Sequence, residues 1–177
     1  LNNTAIILPN KLNGLTPMNL ALVKDYKMKV IHLDPSSIIA HWRVIEPAIQ
    51  SALEYSANES TTYDYLQWLQ DPEQYQCWVV LTEDETIVNV SVTKINHYAT
   101  HKSLHLVTTT SINGGRWDTY KNAHHTIEAY ARQQGCRRIE MYGRKGWSKI
   151  LNKLKGSQGE SYNETYVVHS MELENEI

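Results

Sequence analysis

The sequence predicts an α+β domain: a mixed, mostly antiparallel twisted sheet flanked by helices, with an N-terminal extension. Three observations predict it. Cys77–Leu81, Thr86–Tyr98 and Ser103–Thr110 are strand-like runs, the second rich in β-branched residues, joined by short polar turns, the pattern of an antiparallel meander. Before them, Ile38, Ile39, Trp42, Ile45, Ile49 and Leu53 recur every three or four positions, the period of a helix face. After them, Thr108 to Trp147 runs strand, double glycine, helix, Gly-Cys turn, short strand and helix.

Each element has a local cause. Residues 1–27 carry Pro9, Gly14 and Pro17 with one short apolar run, Ala5 to Leu8, and are expected to form an arm. They read either as a loosely packed tail or as a docking arm for a neighbouring chain. Translation starting at Met28 would leave residues 28–177 as the domain. The Lys29–Leu33 run reads as a first strand. Pro47 interrupts the helical run that follows, which predicts a kink or two short helices at that point. Thr61 to Asp64 opens another helix, with Tyr65, Leu66, Trp68 and Leu69 as its apolar stripe and Asp71-Pro72 as its stop. The helix Trp117–Gln134 shows Tyr120, His124, Ile127 and Ala131 on one face, and Gly135 suits its C-terminal cap. Arg137–Tyr142 reads as a short strand. Trp147, Ile150, Leu151 and Leu154 line a last helix, and Tyr162–Leu173 reads as a last strand region.

Composition narrows the function classes. The 177 residues carry 17 Lys and Arg against 19 Asp and Glu, so no global field draws the chain to nucleic acid or an anionic membrane. No apolar run is long enough for a transmembrane helix, and the first residues lack the basic start of a signal peptide. Cys77 and Cys136 are distant in sequence and read as reduced thiols of a reducing compartment. Phenylalanine is absent, whereas tyrosine occurs 11 times and tryptophan 5, so Tyr and Trp must fill the aromatic core positions and find partners for their polar atoms.

From Met28 to Leu173 the order of elements resembles the GNAT N-acetyltransferase superfamily, and in particular the GNAT-like proteins of tailed bacteriophages. The residues that carry the likeness are Gln76 to Val80, Val92 to Ile95, Gly114 to Trp117, Ala131 to Cys136 and Gly143 to Trp147. A GNAT-like fold also occurs in an internal virion protein of short-tailed phages. The resemblance implies a place for acetyl-CoA where the fourth strand turns into a helix, its pyrophosphate held by backbone amides and the helix N-terminus. Ile112, Asn113, Gly114, Gly115 and Arg116 occupy that place, and Arg116 is the phosphate partner it would offer. The family's Gly-x-Gly spacing is absent, and Trp117 stands at the helix start. The same glycines equally suit a tight strand-to-helix turn with Trp117 packed on the sheet.

Family members often place a tyrosine acid near the start of the last helix. Trp147 and Ser148 stand there, with Tyr142 a few residues early. Glu140 shares a face with Tyr142, and His105 lies mid-strand as a core, surface or base residue. No catalytic residue is assigned. His97 and His101 flank a turn. His124 and His125 are adjacent on a helix and point about 100° apart, and no carboxylate is seen to complete a metal set, so no metal is expected. Arg137, Arg138, Arg144, Lys145, Lys149, Lys153 and Lys155 read as a solvated basic face rather than a contact for a CoA 3′-phosphate or nucleic acid.

Two functions follow from the resemblance. One is a phage virion or assembly component that uses the scaffold for contacts, docks other phage structural proteins through residues 1–27, has a degenerate acetyl-CoA site and needs no cofactor. The other is an N-acetyltransferase of the host cytoplasm, moving acetyl from acetyl-CoA to an amine.

Overall fold

The computed structural model describes residues 28–56, 59–112, 117–143 and 146–165. The arm 1–27 lies outside them. They form β1 (Lys29–Leu33), α1 (Pro35–Ala40), α2 (Trp42–Leu53), α3 (Thr62–Trp68), β2 (Tyr75–Leu81), β3 (Ile87–His97), β4 (Lys102–Ser111), α4 (Trp117–Gln133), β5 (Cys136–Met141) and α5 (Gly146–Leu151). The chain divides into two compact units, one ending at Tyr142 and one beginning at Gly143. No helix among the described residues is long and apolar enough to cross a membrane.

In the first unit the five strands lie in sequence order. The β1 to β4 ladders are antiparallel, and β4 and β5 are parallel. The parallel step follows from α4, which carries the chain back between β4 and β5. The inner strand β2 is buried along its whole length because both its faces are covered. Cys77, Val79 and Leu81 meet Ile38, Ile45, Ile49, Tyr65 and Leu69 of α1 to α3 and the end of α3. Trp78 and Val80 meet Ala123, Ile127, Tyr130 and Ala131 of α4.

Three side chains inside this core are linked by a chain of hydrogen bonds. The Trp78 indole donates to the Thr93 hydroxyl at 2.9 Å, and that hydroxyl donates to Gln76 Oε1 at 2.9 Å. The Gln76 amide then donates to the Pro72 carbonyl at 3.1 Å. Sheet, loop and indole are thereby tied together without an orphaned donor in the chain of bonds.

Helix boundaries follow local chemistry, with three departures from the sequence reading. Asp34 caps α1 by accepting from the Ser37 amide at 2.9 Å, and Thr61 and Asp64 close a capping box on α3. The first departure is that the helical run breaks at His41, not at Pro47. The His41 ring lies 2.8 Å from the Ser37 carbonyl through Nδ1, competing for a helix acceptor, and its ψ of 13° leaves the helical range. Pro47 sits inside α2, where it removes one backbone bond. Ile39 consequently falls off the apolar stripe and is exposed.

The other two lie in the second unit. There α5 ends at Leu151, and Leu154 is buried beyond it on a tightening turn of 3.0 Å bonds, Lys153 to Ile150 and Leu154 to Leu151. The strand expected over Tyr162–Leu173 is absent at residues 162–165, and the rest lies outside the described residues. A single bridge pairs Lys155 with Ser161.

Candidate functional site

β4 is where the sheet stops being regular. Thr93 of β3 pairs with Leu106 and Val92 pairs with Thr108, so Val107 is an extra residue without a cross-strand partner. Such a bulge bends the strand and increases its twist. On its other edge β4 pairs with β5 from Lys102 to Leu106, and the ladder ends at Leu106 and Met141. β4 continues to Ser111 with no strand beside that edge among the described residues. The two parallel strands therefore part company one residue before the bulge, leaving the β4 edge from Val107 onward without a strand partner among the described residues.

A polar cluster sits on the paired side of that parting. His105 of β4 lies in register with Lys94 of β3 and Glu140 of β5. Glu140 accepts from the Ser103 hydroxyl at 2.6 Å and the Tyr98 hydroxyl at 3.0 Å, and forms a 2.5 Å ion pair with Arg138. Burial pushes the Glu140 carboxyl up, but the two hydroxyls and the Arg138 cation outweigh it and hold it below its ordinary value. The Tyr142 ring lies 4.6 Å from the His105 imidazole, and Tyr142 itself is exposed. His105 is buried, and its Nδ1 has no hydrogen-bond partner. Burial lowers the His105 pKa, with Glu140 opposing and Lys94 reinforcing, so the imidazole is neutral at physiological pH. A neutral, desolvated imidazole under a single aromatic ring is able to accept a proton.

The residues expected to hold a cofactor are placed in part. Ile112 ends the β4 segment: its amide donates to the Val88 carbonyl at 2.9 Å and its side chain packs against the core. Asn113, Gly114, Gly115 and Arg116 lie outside the described residues. The helix α4 does begin at Trp117, immediately after them. Toward an acetyl-CoA ligand the described residues offer a strand-free stretch of the β4 edge and the 17-residue helix that follows it. The tyrosine position is filled differently. Trp147 lies against Gly143, where a side-chain carbon added to the glycine would meet the indole at 3.0 Å.

On α4 the structure places a carboxylate beside the histidine pair. Glu128 completes a group with His124 and His125, and one ligand atom from each lies within 4.8 Å of the others. The sequence carries the signal as His-His-x-x-Glu: the carboxylate is four residues from one histidine and three from the other, so it neighbours both.

Sequence reasoning also missed the Ser103, Tyr98 and Glu140 cluster. Polar residues at alternate positions of both strands were the visible signal, but the register that joins them crosses α4 and has no local trace.

No protein-family model matches the chain, and no curated protein sequence matches it. Solved structures do. An aminoglycoside acetyltransferase, meta-AAC0020 from an uncultured soil metagenomic sample, crystallised in complex with sisomicin, superposes with a TM-score of 0.61 at 12% identity, over 84% of this chain and 97% of that one. A GNAT family acetyltransferase of Staphylococcus aureus gives 0.56 at 12% identity, over 81% and 98%. A ribosomal-protein-alanine N-acetyltransferase of Brucella melitensis gives 0.60 at 7% identity, over 82% and 99%. The chain has the GNAT acetyltransferase fold.

Proposed function

We propose that the protein is an N-acyltransferase that moves an acetyl group from acetyl-CoA to an amine. The observation that carries this reading is the parting of β4 from β5 beside the bulge at Val107, with the neutral imidazole of His105 at its root. Acetyl-CoA, when bound, supplies an activated thioester. The chain's own groups supply the rest. The open β4 edge from Val107 orients the extended arm. His105 takes the proton that the amine nitrogen sheds as it forms its bond to the acetyl carbon. Tyr142, whose ring covers His105, is placed to give a proton to the departing thiolate as the carbon–sulfur bond breaks. Glu140, in register with His105, is itself held by Ser103, Tyr98 and Arg138. The names of the solved relatives cover both an aminoglycoside and a ribosomal-protein alanine, so the acceptor panel should include polyamines, aminoglycosides and peptide N-termini.

The test is release of free CoA thiol with acetyl-CoA and that panel. His105→Gln is expected to lower kcat by about 10²-fold or more, with acetyl-CoA affinity unchanged. The alkaline plateau of the wild-type pH profile should begin below the ordinary histidine range. Calorimetry showing no acetyl-CoA binding at millimolar ligand would overturn the reading.

A second reading is favoured by one observation: an indole, Trp147, packs on Gly143 where the family's acid stands. It is a bacteriophage particle component with a degenerate acetyl-CoA site, docking other structural proteins through residues 1–27. Mass spectrometry of purified particles finding many copies supports it, and absence from the particle rejects it.

A further inference from the structure

We propose that His124, His125 and Glu128 form a binding site for a divalent metal ion of the zinc class. The site is independent of the acyl-transfer reading. Its geometry begins with the helix. At about 100° per residue, Glu128 falls at about 40° from His124, between it and His125 on the helix circumference. The two imidazoles lie edge-on with ring centres 5.9 Å apart, and both neighbour the carboxylate. The result is three candidate ligand atoms within 4.8 Å of one another across a single turn. His125 Nδ1 is already 3.7 Å from Glu128 Oε2.

The other oxygen of that carboxylate is fixed. Arg132 donates to Glu128 Oε1 through Nη2 at 2.7 Å and Nε at 3.1 Å. This grip turns Oε2 toward His125 and holds it there, as an outer partner orients a metal-ligating carboxylate. His124 and Glu128 are buried, and the His125 side chain is about a third exposed at 34%, which gives an ion an entrance from solvent. Two imidazole nitrogens and one carboxylate oxygen suit Zn²⁺, Co²⁺ or Ni²⁺, with water completing the shell. Magnesium and calcium prefer all-oxygen sites and are excluded by the donor set. The Arg132 cation limits the affinity, so a Kd of roughly 1 to 100 µM is expected. An ion held here clips one turn of α4 and raises the melting temperature through mass action.

The experiment uses the full chain with zinc chloride in a non-chelating buffer, read by calorimetry and thermal shift, and with cobalt chloride read by visible absorption. One ion per chain, a rise in Tm reversed by EDTA, and a cobalt spectrum are expected. His125→Ala should weaken binding by about tenfold or more, and Glu128→Gln should do the same while its amide oxygen still accepts from Arg132. His97→Ala, on the exposed end of β3, should bind as the wild type does. His125→Ala is expected to melt as the wild type does in EDTA, and if it does not fold, Glu128→Gln decides the matter. No heat at millimolar zinc, or undiminished binding in the deciding variant, overturns the proposal.

Discussion

Single side chains in this protein do more than fill space. Thr93 is the clearest case, because its one hydroxyl both accepts from Trp78 and donates to Gln76 in the middle of the sheet. Thr93→Val keeps the shape and strands a buried indole N–H and a buried amide oxygen. Orphaned groups of this kind cost about 1 to 3 kcal/mol each, so a loss of about 2 kcal/mol or more is expected in urea denaturation. Thr93→Ser, which keeps the hydroxyl, should lose less than half of that. The sequence shows Gln76, Trp78 and Thr93 only as polar or amphipathic letters in strand runs. Their partnership depends on the β2 to β3 register, which no local pattern encodes.

At the scale of elements the sequence was legible where periodicity and caps act together. Apart from the break within the first helical run, the order of helices and strands from β1 to β5 is read correctly because each has a repeat and a stop. The break at His41 was not legible: proline is a strong breaker in isolation, whereas a ring nitrogen competing for the Ser37 carbonyl becomes apparent only in three dimensions. The bulge at Val107 was hidden for a similar reason, since an inserted residue is defined by its neighbour's register. The end of α4 was visible in Gly135. It has a φ of +72°, and its amide donates to Arg132 at 3.0 Å. Nothing lies within 4 Å of an added side-chain carbon, so Gly135→Ala suffers only backbone strain. A loss of about 1 to 2 kcal/mol is expected, read from chemical denaturation.

For the whole molecule the buried histidines set a pH response. Burial lowers the pKa of His32 and of His105, and lowers that of His124 to about 4. A folded-state value below the unfolded one means that the unfolded chain takes up protons first. The stabilising contribution is present above the ordinary histidine value of about 6.5 and is lost as pH falls through the folded values. Thermal melts in EDTA should therefore show Tm falling steadily from pH 7 toward pH 4. A Tm independent of pH over that window would show that these imidazoles are solvated. The composition gave eight histidines but not which of them would be enclosed. That depends on two separate layers closing on β2, with His32 stacked on Trp78 in one of them.

The parallel pairing of β4 with β5 has a kinetic corollary. The strands from Tyr75 to Ser111 zip through short reversals, whereas β5 has to wait for the whole of α4 to be laid down before it can find its edge. Late contacts of this kind carry low φ-values, so Ile139→Val should speed unfolding and leave the refolding rate nearly untouched. Glu140 and Tyr142 ride in on that last strand. A chain paused short of it would already hold His105 in a near-complete sheet, yet would lack the carboxylate and the ring that the final edge brings beside the imidazole.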